Sequence, residues 1–566
     1  MTDTLATDAV APPTPPALDR PPRAAATIVV VRDSADGIEV LLSRRAERGD
    51  HNSGAWVFPG GLVDKGDRDA HGCCAGLDDA TASARLGLPQ GGLDYFIAAV
   101  RECFEESGLL FATGSDGQLV TLDSERGASL AAWRGPLHRM EHTLGELCAA
   151  FGLTLAVDRL AYLSHWLTPP GRMKRFDTRF FIAAAPLAQT AAFDGTEMVE
   201  QLWLRPADAL ARSVDLKLMT PTQKTLQLVA RFPNVAELLA WAHEPRSVPL
   251  TMPHVGIGST GMRPVMPDEP AWAELGRLDP MGHGTACYDI QPGAAVRLSP
   301  RLIRVTANNG SMMTGPGTNT YLVGGGAANE WAAIDPGPLD ERHVAAIMAA
   351  APGPIRWIFA THTHIDHSPA VAPLQVRTGA IVHGRLPAHP EWQDASFAPD
   401  VHLAGGERFE LPGGATLRAI HTPGHASNHL CYLLEEEKLL FTGDHVMQAS
   451  TVVINPPDGD MAAYIESLRE LAELDLDWLA PGHGFLMAQP RHAIEWIVGH
   501  RLAREAKVLA AVRVLGPARA DALLEMVYAD VPPRLHAMAM RSLTAHLLKL
   551  RDDSLVVESG GDWSTA

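Results

Sequence analysis

The chain has few cysteines and no long apolar run, and each shortage excludes a class of protein. Six cysteines among 566 residues, without a C-x-x-C pair, predict a reduced, soluble, cytoplasmic protein with no disulfide framework. No stretch of about 18 apolar residues occurs, so no membrane span is expected. The first residues, "MTDTLATDAVAPPTPPALDRPP", contain neither a basic segment nor an apolar core. They predict a disordered tail over 1–23 and no signal peptide.

Positive charge is also scarce. The 47 Lys and Arg residues face 66 Asp and Glu residues, giving a formal net charge of −19 at pH 7. A field of that sign repels phosphate backbones, so we do not expect the chain to hold duplex DNA. An anionic substrate held through bound metal is still compatible with this charge. The sequence indicates no particular oligomeric state.

At this length the chain exceeds what one hydrophobic core supports, so two or three domains are expected. Residues 24–245 alternate strand-like and helix-like patterns. Residues 246–290 are rich in Pro, Gly and Met, which predicts a linker. Residues 291–490 contain strand-like runs that each end in Gly, Pro, His or Asp, and residues 491–566 are mostly helical.

Potential metal ligands are crowded into "THTHIDH" at 361–367, directly after the strand-like run "IRWIFA". His362 and His364, two positions apart, would project to one side, while Asp366 and His367 turn towards a second centre. Zinc requires imidazole nitrogens and carboxylate oxygens that converge from several chain segments. Three downstream candidates each follow an apolar run beside a glycine: His425 in "HTPGHA", Asp444 in "FTGDH" and His483 in "APGHG".

H-x-H-x-D-H followed by TPGH, GD and PGHG resembles the metallo-β-lactamase superfamily, over roughly residues 295–490. The resemblance implies an αββα fold and two Zn²⁺ ions, with Asp366 and Asp444 as catalytic residues. It also implies the ligand sets, which are His362, His364 and His425 for one ion, Asp366, His367 and His483 for the other, and Asp444 between them. Three further histidines match no ligand position and are expected to orient the ligands or to pack beside them: His421, His429 and His445.

The subgroup stays open at this point. "SMMTGPGTNTYLVG" and the helical tail resemble the beta-lactamase-like endoribonuclease group, whose members carry a winged-helix-like domain after the last PGHG and cleave single-stranded RNA. The same core resembles glyoxalase II, a thioester hydrolase. The tail mixes basic with acidic residues, so it forms no clear basic patch and leaves RNA binding unproven: Arg501, Arg504, Lys507, Arg513 and Arg519 against Glu505, Asp521 and Glu525.

The first block contains a split motif. "FPGGLVDKGD" precedes "RECFEESGL" by about 30 residues, and the glutamates of the second fragment share one helix face: Glu102, Glu105 and Glu106. The pair resembles the Nudix box, with Asp67 in place of a glutamate and an insertion near 68–93. An insertion there resembles the coenzyme A diphosphatase branch. The resemblance implies that the glutamates hold Mg²⁺ or Mn²⁺, with Glu105 catalytic, and that Gly61 and Arg101 belong to the substrate-binding part. Arg101 is expected to support the glutamates.

Together these features predict an α/β multidomain hydrolase, in which a Nudix α/β/α sandwich precedes an αββα metallo-β-lactamase fold and a small winged-helix-like domain. The zinc half would hydrolyse a thioester or the phosphodiester of single-stranded RNA. The Nudix half would hydrolyse a nucleoside-diphosphate-linked compound such as coenzyme A. The alternative is an inactive Nudix module that senses a nucleotide or mediates dimerisation, with the tail docking a partner, attached to a glyoxalase II-like thioesterase.

Overall fold

The computed structural model describes residues 21–47, 53–122, 125–448 and 450–566. Residues 1–20 of the predicted tail over 1–23 lie outside the described residues. The contacts divide the chain into two compact units, one of residues 1–255 with 281–283 and one of residues 256–280 with 284–566. No helix in the described ranges combines the length and the apolar character that crossing a bilayer requires. All six cysteines are free.

The first unit is built on an eight-stranded sheet of order β10-β7-β8-β1-β2-β3, in which β4 pairs with β1 and β9 with β2. A separate pair of strands is formed by β5 and β6. The strands are β1 (Arg23–Ser34), β2 (Gly37–Arg45), β3 (Trp56–Val57), β4 (Gly60–Leu62), β5 (Ala112–Thr113), β6 (Thr154–Leu155), β7 (Ala161–Leu167), β8 (Phe176–Ala184), β9 (Met198–Leu204) and β10 (Leu250–Thr251).

Helix α2 carries the glutamates of the first unit, and its apolar side packs into the core formed with β1 and β8. It ends at Gly108, whose φ of +73° is the left-handed conformation that glycine adopts at low cost. The helices of this unit are α1 (Asp79–Leu86), α2 (Gly92–Ser107), α3 (Glu125–Ala131), α4 (Arg134–His138), α5 (Leu144–Phe151), α6 (Pro206–Ala211), α7 (Thr220–Val229) and α8 (Val235–His243).

The second unit begins inside the predicted linker, which is not a plain connector. It contains the hairpin β11 (His254–Gly258) and β12 (Gly261–Val265) and the helix α9 (Trp272–Leu278). Leu275 of α9 is 1% exposed and lies in an apolar cluster with Tyr288 and Phe485. The large apolar residues of this Pro- and Gly-rich interval are therefore part of a core, and it forms secondary structure because it can bury them.

The body of the second unit contains a seven-stranded sheet, β13 to β19 in sequence order, and a six-stranded sheet, β20 to β25 in sequence order. The strands are β13 (Ala295–Ser299), β14 (Leu302–Thr306), β15 (Asn319–Gly325), β16 (Glu330–Ile334), β17 (Ile355–Phe359), β18 (Ile381–Gly384), β19 (Val401–His402), β20 (Arg408–Leu411), β21 (Ala415–His421), β22 (Leu430–Leu434), β23 (Leu439–Gly443), β24 (Trp478–Pro481) and β25 (Met487–Ala488).

Residues from both sheets share one apolar core, and each sheet has a second core on its outer face. The outer face of the first sheet packs against α10 (Glu341–Ala350) and α11 (Val371–Thr378), and that of the second against α12 (Met461–Ala472) and the first part of α13 (Pro490–Leu515). This is the predicted αββα arrangement. The ends of β17, β21, β23 and β24 lead directly into the candidate ligands.

The tail forms its own small apolar core between the end of α13, two further helices and a three-stranded sheet of order β26-β28-β27. A helical core with a short antiparallel sheet is the predicted winged-helix arrangement. The added elements are α14 (Ala520–Val527), α15 (His536–Asp552), β26 (Ala518–Arg519), β27 (Val556–Ser559) and β28 (Asp562–Thr565).

Candidate metal centres

Three histidines bring ring nitrogens together where strands of the second unit end. His362 and His364 follow β17, and His425 follows β21. The Nδ1 atom of His364 lies 3.0 Å from Nε2 of His362 and 3.0 Å from Nε2 of His425. All three ligand atoms lie within 4.8 Å of one another. This spacing of imidazole nitrogens suits a single divalent transition ion.

A second set contains Asp366, His367, Asp444 and His483, whose ligand atoms also lie within 4.8 Å of one another. His367 Nε2 is 3.3 Å from Asp444 Oδ1, and His483 Nε2 is 3.2 Å from the same oxygen. The other carboxylate oxygen of Asp444 is 3.8 Å from Nε2 of His425 in the first set. Asp444 therefore lies between the two sets, and all seven sequence-predicted positions come together.

Buried atoms without partners test whether this site fits metal. In the ranges that the structure describes, His367 Nε2, His483 Nε2 and Asp444 Oδ1 are buried and form no hydrogen bond of normal geometry, although both nitrogens lie within 3.3 Å of that oxygen. Buried polar atoms almost always have a partner, because an unsatisfied group loses its hydration without compensation. Three such atoms that converge on one point suit a divalent cation, so the residues present fit the metal that such a donor set binds.

In four of these histidines, the ring nitrogen that faces away from the other ligands contacts a neighbouring residue. Such contacts fix the orientation of each imidazole and direct its other nitrogen to the centre. The four contacts are His362 Nδ1 to Thr361 Oγ1 at 3.0 Å, His367 Nδ1 to Asp335 Oδ2 at 2.9 Å, His425 Nδ1 to the Val453 carbonyl at 2.8 Å and His483 Nδ1 to the Gly317 carbonyl at 3.1 Å.

Asp335, which the sequence analysis missed, is the most connected of these neighbours. Its carboxylate accepts hydrogen bonds from the backbone N–H and the hydroxyl of Thr361, each at 2.7 Å, as well as its contact with His367. Its φ of +50° is unusual for a residue other than glycine and is typical of functional sites. The available signal was an acidic residue directly after the strand-like run "EWAAI".

The two sets differ in electrostatics. Burial, together with the neighbouring imidazoles, lowers the pKa of His362 well below its ordinary value and that of His364 to about 3, so these rings are neutral lone-pair donors. Burial also acts to lower the pKa of His483, but the carboxylates of Asp444 and Asp366 outweigh it and raise this pKa to about 9. In the metal-free protein protonated imidazoles therefore balance the two carboxylates of the second set, and a bound cation would take over that role.

The three other histidines predicted near the ligands lie in different surroundings. His429 is fully buried, with its ring centre 5.1 Å from that of His362 and its Nδ1 at 2.9 Å from Thr422 Oγ1. His445 packs against His429 and lies 3.0 Å from Ser467 Oγ. His421 contacts the Ser427 carbonyl at 3.0 Å. Of the three, His429 is the one seen in ring contact with ligands of the first set, His362 and His425.

The glutamates of the first unit lie on α2 beside the turn after β3. The backbone N–H of Gly60 donates to Glu106 Oε2 at 3.0 Å. A Cβ atom on Gly61 would lie 2.3 Å from Glu102 Oε1, so a larger residue here would displace the Glu102 carboxylate. Glu105 and Glu106 are 4% and 2% exposed, and burial raises the pKa of Glu105 to about 8. A cation bound to two of these carboxylates would replace their lost hydration, although among the described residues oxygens from all three glutamates do not lie within 4.8 Å of one another.

Arg101 lies among acidic groups. Its guanidinium donates to Asp67 Oδ1 at 2.7 Å, to Glu102 Oε1 at 2.9 Å and to the Leu62 carbonyl at 2.8 Å, with a longer bond of 3.3 Å to Glu105. It is 8% exposed. These contacts favour the supporting role over contact with substrate. They also show that Asp67, despite its shorter side chain, reaches the arginine.

The insertion near 68–93 is folded and supports the glutamate helix. It forms a 3₁₀ helix at Lys65–Cys73 and the helix α1. The Asp79 carboxylate accepts from the backbone N–H groups of Gly91 and Leu93, each at 3.0 Å, and Ser83 Oγ accepts from Gly92 N at 2.8 Å. These bonds satisfy donors at the start of α2 that a helix cannot satisfy internally.

Three of the five basic residues singled out in the winged tail contact oxygens of the protein. Arg501 is 4% exposed and donates to the Val452 carbonyl, and Arg504 donates to Asp530 at 3.1 Å. Lys507 lies 3.6 Å from the same aspartate.

Comparisons with known proteins agree with this architecture. Residues 313–483 match the Metallo-beta-lactamase superfamily and residues 520–563 the Beta-lactamase associated winged helix domain. Residues 21–75 match the NUDIX domain and residues 77–226 the NUDT19 Nudix domain, so the match spans both halves of the split motif. Both domain families use divalent metal ions.

The curated relatives match a little under half of this chain and most of their own length. Atrochrysone carboxyl ACP thioesterase from Aspergillus fumigatus is 32% identical over 284 residues, which cover 46% of this chain and 84% of the relative. Lactamase-like protein vrtG from Penicillium aethiopicum is 31% identical over 274 residues, covering 46% and 85%.

Among solved structures, a metallo-beta-lactamase family protein from Thermus thermophilus is 23% identical with a TM-score of 0.41, covering 48% of this chain and 100% of that chain. A NUDIX hydrolase from Alicyclobacillus acidocaldarius is 27% identical with a TM-score of 0.33, covering 39% and 96%. The curated and family matches confirm the predicted fusion. The chain therefore belongs to the metallo-β-lactamase superfamily, as a hydrolase that also contains a Nudix domain and a β-lactamase-associated winged helix domain.

Proposed function

We propose that the second unit is a dinuclear zinc thioesterase and that the first unit is a Mg²⁺- or Mn²⁺-dependent diphosphatase of nucleoside-diphosphate-linked compounds such as coenzyme A. The observation that carries the first proposal is the convergence of seven side chains, three of them with buried ligand atoms that form no hydrogen bond of normal geometry. The printed name of the Aspergillus fumigatus relative, a carboxyl ACP thioesterase, supports a thioester as the bond that is cleaved.

In the zinc half, one ion would be held by His362, His364 and His425. The other would be held by Asp366, His367 and His483, with Asp444 shared between them. Two divalent ions at such a site polarise a water molecule and stabilise negative charge on the reacting carbonyl. The side chains contribute orientation, since Thr361 and Asp335 hold the rings of His362 and His367.

RNA is the less favoured substrate. Phosphodiester cleavage on a single strand needs a basic surface that follows the backbone. The net charge is −19, and three of the tail's basic residues contact acidic or carbonyl oxygens of the protein. A thioester places no such demand on the surface. Single-stranded RNA is therefore kept as an arm of the test.

In the Nudix half, the buried glutamates would hold the cation, and Arg101 keeps Glu102 and Glu105 in place through two hydrogen bonds. The cation would bind the diphosphate and activate water. Among the described residues the three glutamates do not form a set with all ligand atoms within 4.8 Å. The silent, nucleotide-sensing alternative is favoured by this one observation, and activity assays decide between the two.

A substrate panel tests both halves. It contains an acyl N-acetylcysteamine thioester, coenzyme A, ADP-ribose and a single-stranded oligoribonucleotide, each with and without chelator. N-acetylcysteamine has no diphosphate, so the Nudix half cannot act on it. We expect metal-dependent hydrolysis of the thioester and loss of about a thousandfold in activity in His364→Ala and Asp366→Ala. His402→Ala, at an exposed histidine of the same unit, is the matched control.

The outcomes are distinct. Full thioesterase activity after exhaustive chelation contradicts the metal assignment, and cleavage of the oligoribonucleotide but not the thioester contradicts the substrate class. Coenzyme A hydrolysis that falls about a hundredfold in Glu105→Gln and Glu106→Gln supports the diphosphatase. Absence of any Mg²⁺- or Mn²⁺-dependent hydrolysis in the wild type, with retained nucleotide binding, supports the sensing module instead.

A further inference from the structure

Large apolar side chains are exposed directly beside the proposed zinc ligands. Ile365 lies in sequence between His364 and Asp366 and is 69% exposed. Trp392 is 75% exposed, more than any other tryptophan among the large hydrophobic residues that the structure shows at the surface. Contact between large apolar side chains and water is unfavourable. Their grouping at one place therefore indicates a binding surface.

An isolated bridge at the ligand His364 brings the two chain segments that carry these residues together. His364 forms an antiparallel bridge with Gln393, and the Asp394 N–H donates to the Thr363 carbonyl at 2.7 Å. In an antiparallel pairing, the residue after one partner lies opposite the residue before the other. Ile365 and Trp392 therefore each flank this isolated bridge, on different chain segments. Each lies one residue, about 3.8 Å along the chain, from a residue of the bridge at the ligand His364.

The backbone at Trp392 gives a second, independent indication. Its φ is +73°, in the left-handed region that a bulky residue rarely adopts. Holding a tryptophan there costs free energy, and strain of this kind clusters at ligand-binding sites. Neither burial nor core packing explains why an indole is held here, because the side chain is mostly in solvent. A bound group that covers the indole would explain both observations.

The loop that orients His483 adds apolar surface from a different chain segment. The Gly317 carbonyl accepts from His483, and a bridge between Ser311 and Gly315 shapes the turn just before it. Met312 and Met313, inside this turn, are 72% and 49% exposed. Flexible thioether side chains adapt to varied apolar shapes, which suits a surface that contacts substrates.

We propose that Trp392 and Ile365, with Met312 and Met313 as further contacts, bind the acyl group of the thioester and select bulky apolar or aromatic acyl groups over acetyl. The proposal rests on the thioesterase function proposed above. Ile365 is adjacent in sequence to two ligands, so a group that touches it belongs to the part of the substrate next to the reacting carbonyl. Both the acyl group and the thiol sulfur are bonded to the carbonyl carbon, but the arm of a carrier thiol continues into polar amides, so exposed apolar side chains suit the acyl group.

The test compares benzoyl, octanoyl and acetyl N-acetylcysteamine thioesters on the full-length protein. Trp392→Gly removes the indole and suits the left-handed backbone, so it is expected to fold. The control is Trp496→Ala, at another exposed tryptophan. Alanine is used there because Trp496 lies inside the helix α13, which glycine would destabilise. We expect Trp392→Gly and Ile365→Ser to lower kcat/KM for benzoyl and octanoyl thioesters about tenfold, mainly through KM, because burying an indole or sec-butyl group contributes about 1–2 kcal/mol.

The acetyl thioester is expected to change less than twofold in the same variants, and Trp392→Phe is expected to restore most of the benzoyl activity. Equal losses on all three thioesters, or no loss on benzoyl and octanoyl, would overturn the proposal. Failure of the thioesterase function itself is recognised separately, since the wild-type protein would then hydrolyse none of the three. Metal content measured on each variant excludes a loss caused by damaged ligands.

Discussion

Asp335 connects three groups at the base of the zinc site, although it lies 27 residues before the first histidine ligand in sequence. Its carboxylate holds the ring of His367 and both donors of Thr361, whose hydroxyl in turn contacts His362. One side chain thus orients ligands of both sets. Neighbours of this kind affect metal affinity even though they do not bind the metal.

Replacing Asp335 by asparagine is expected to lower zinc affinity and thioesterase activity about 10- to 100-fold, because the amide is neutral and orients the His367 ring less strongly. Zinc titration of the metal-stripped protein and kcat/KM measure both effects. Asp475→Asn is the matched control, since Asp475 is exposed and pairs with Lys438. A variant that binds zinc as tightly as the wild type contradicts this role.

Glu105 gives the Nudix half a pH dependence. Burial raises its pKa from 4.5 to about 8, so the folded, metal-free protein keeps a proton that the unfolded chain releases. The contribution of Glu105 to stability is therefore present below pH 4.5 and is lost as pH rises towards 8. Burial also raises the pKa of Glu102 and Glu106, in the same direction.

We accordingly expect the unfolding transition of the first unit to move to lower temperature as pH rises from about 6 to about 9 without metal, and Mg²⁺ to oppose this loss. Glu105→Gln removes one titrating carboxyl and flattens the dependence. Thermal unfolding monitored with and without Mg²⁺ identifies the relevant transition. A pH dependence that is identical in the wild type and in Glu105→Gln would falsify the assignment.

Turns between elements position the ligands, and Gly424 shows how tightly. It lies in the turn after β21, next to His425, with a φ of +142°. A Cβ atom there would lie 2.3 Å from the Tyr464 Cα atom of α12. The backbone of this helix cannot move aside without disturbing the apolar core that it shares with β22 and β23. The close approach of the turn and helix therefore holds the ligand in place.

Gly424→Ala is expected to destabilise the second unit by about 2–4 kcal/mol and to lower zinc content, because it combines a clash with backbone strain. Gly379→Ala is the matched control. Gly379 has a φ of +67° but nothing within 4 Å of an added Cβ atom, so strain alone applies and costs about 1 kcal/mol. Denaturant unfolding measures both. Equal destabilisation by the two substitutions argues against the close contact.

For individual elements, the sequence was most informative where potential metal ligands directly follow strand-like runs. The run "NTYLVGG" forms β15 over the same seven residues, 319–325. The segment "HLCYLLEEEKLLFTGDH" contains two strands, because the acidic 3₁₀ turn Glu435–Glu437 and the left-handed Lys438 reverse the chain. The bridge between His364 and Gln393 joins residues far apart in sequence, so no local pattern reveals Trp392 as a neighbour of the site.

For the whole molecule, the family matches show a Nudix domain and a metallo-β-lactamase domain in one chain. The proposed domain boundaries at 24–245, 246–290, 291–490 and 491–566 stay a prediction. The compact units instead divide at 255, with 281–283 in the first unit. Composition could not find this division, because the Pro-rich interval contributes to the core through Leu275.

The two proposed activities are expected to be separable in the intact chain, since their ligands belong to different units. Glu106→Gln should lower coenzyme A hydrolysis about a hundredfold and change thioester hydrolysis less than twofold, whereas His364→Ala should lower thioester hydrolysis about a thousandfold and change coenzyme A hydrolysis less than twofold. Both activities are measured on the same preparations. Loss of both activities in either variant, with normal folding, contradicts independent sites.

The most direct test of the account is the metal content of the full-length protein. After incubation with zinc and dialysis, elemental analysis is expected to find about two transition-metal ions per chain, the number a dinuclear site holds. Asp444→Ala should reduce this ratio and His402→Ala should leave it unchanged. A wild-type protein that retains no transition metal under these conditions contradicts the claim that the seven side chains form a metal centre.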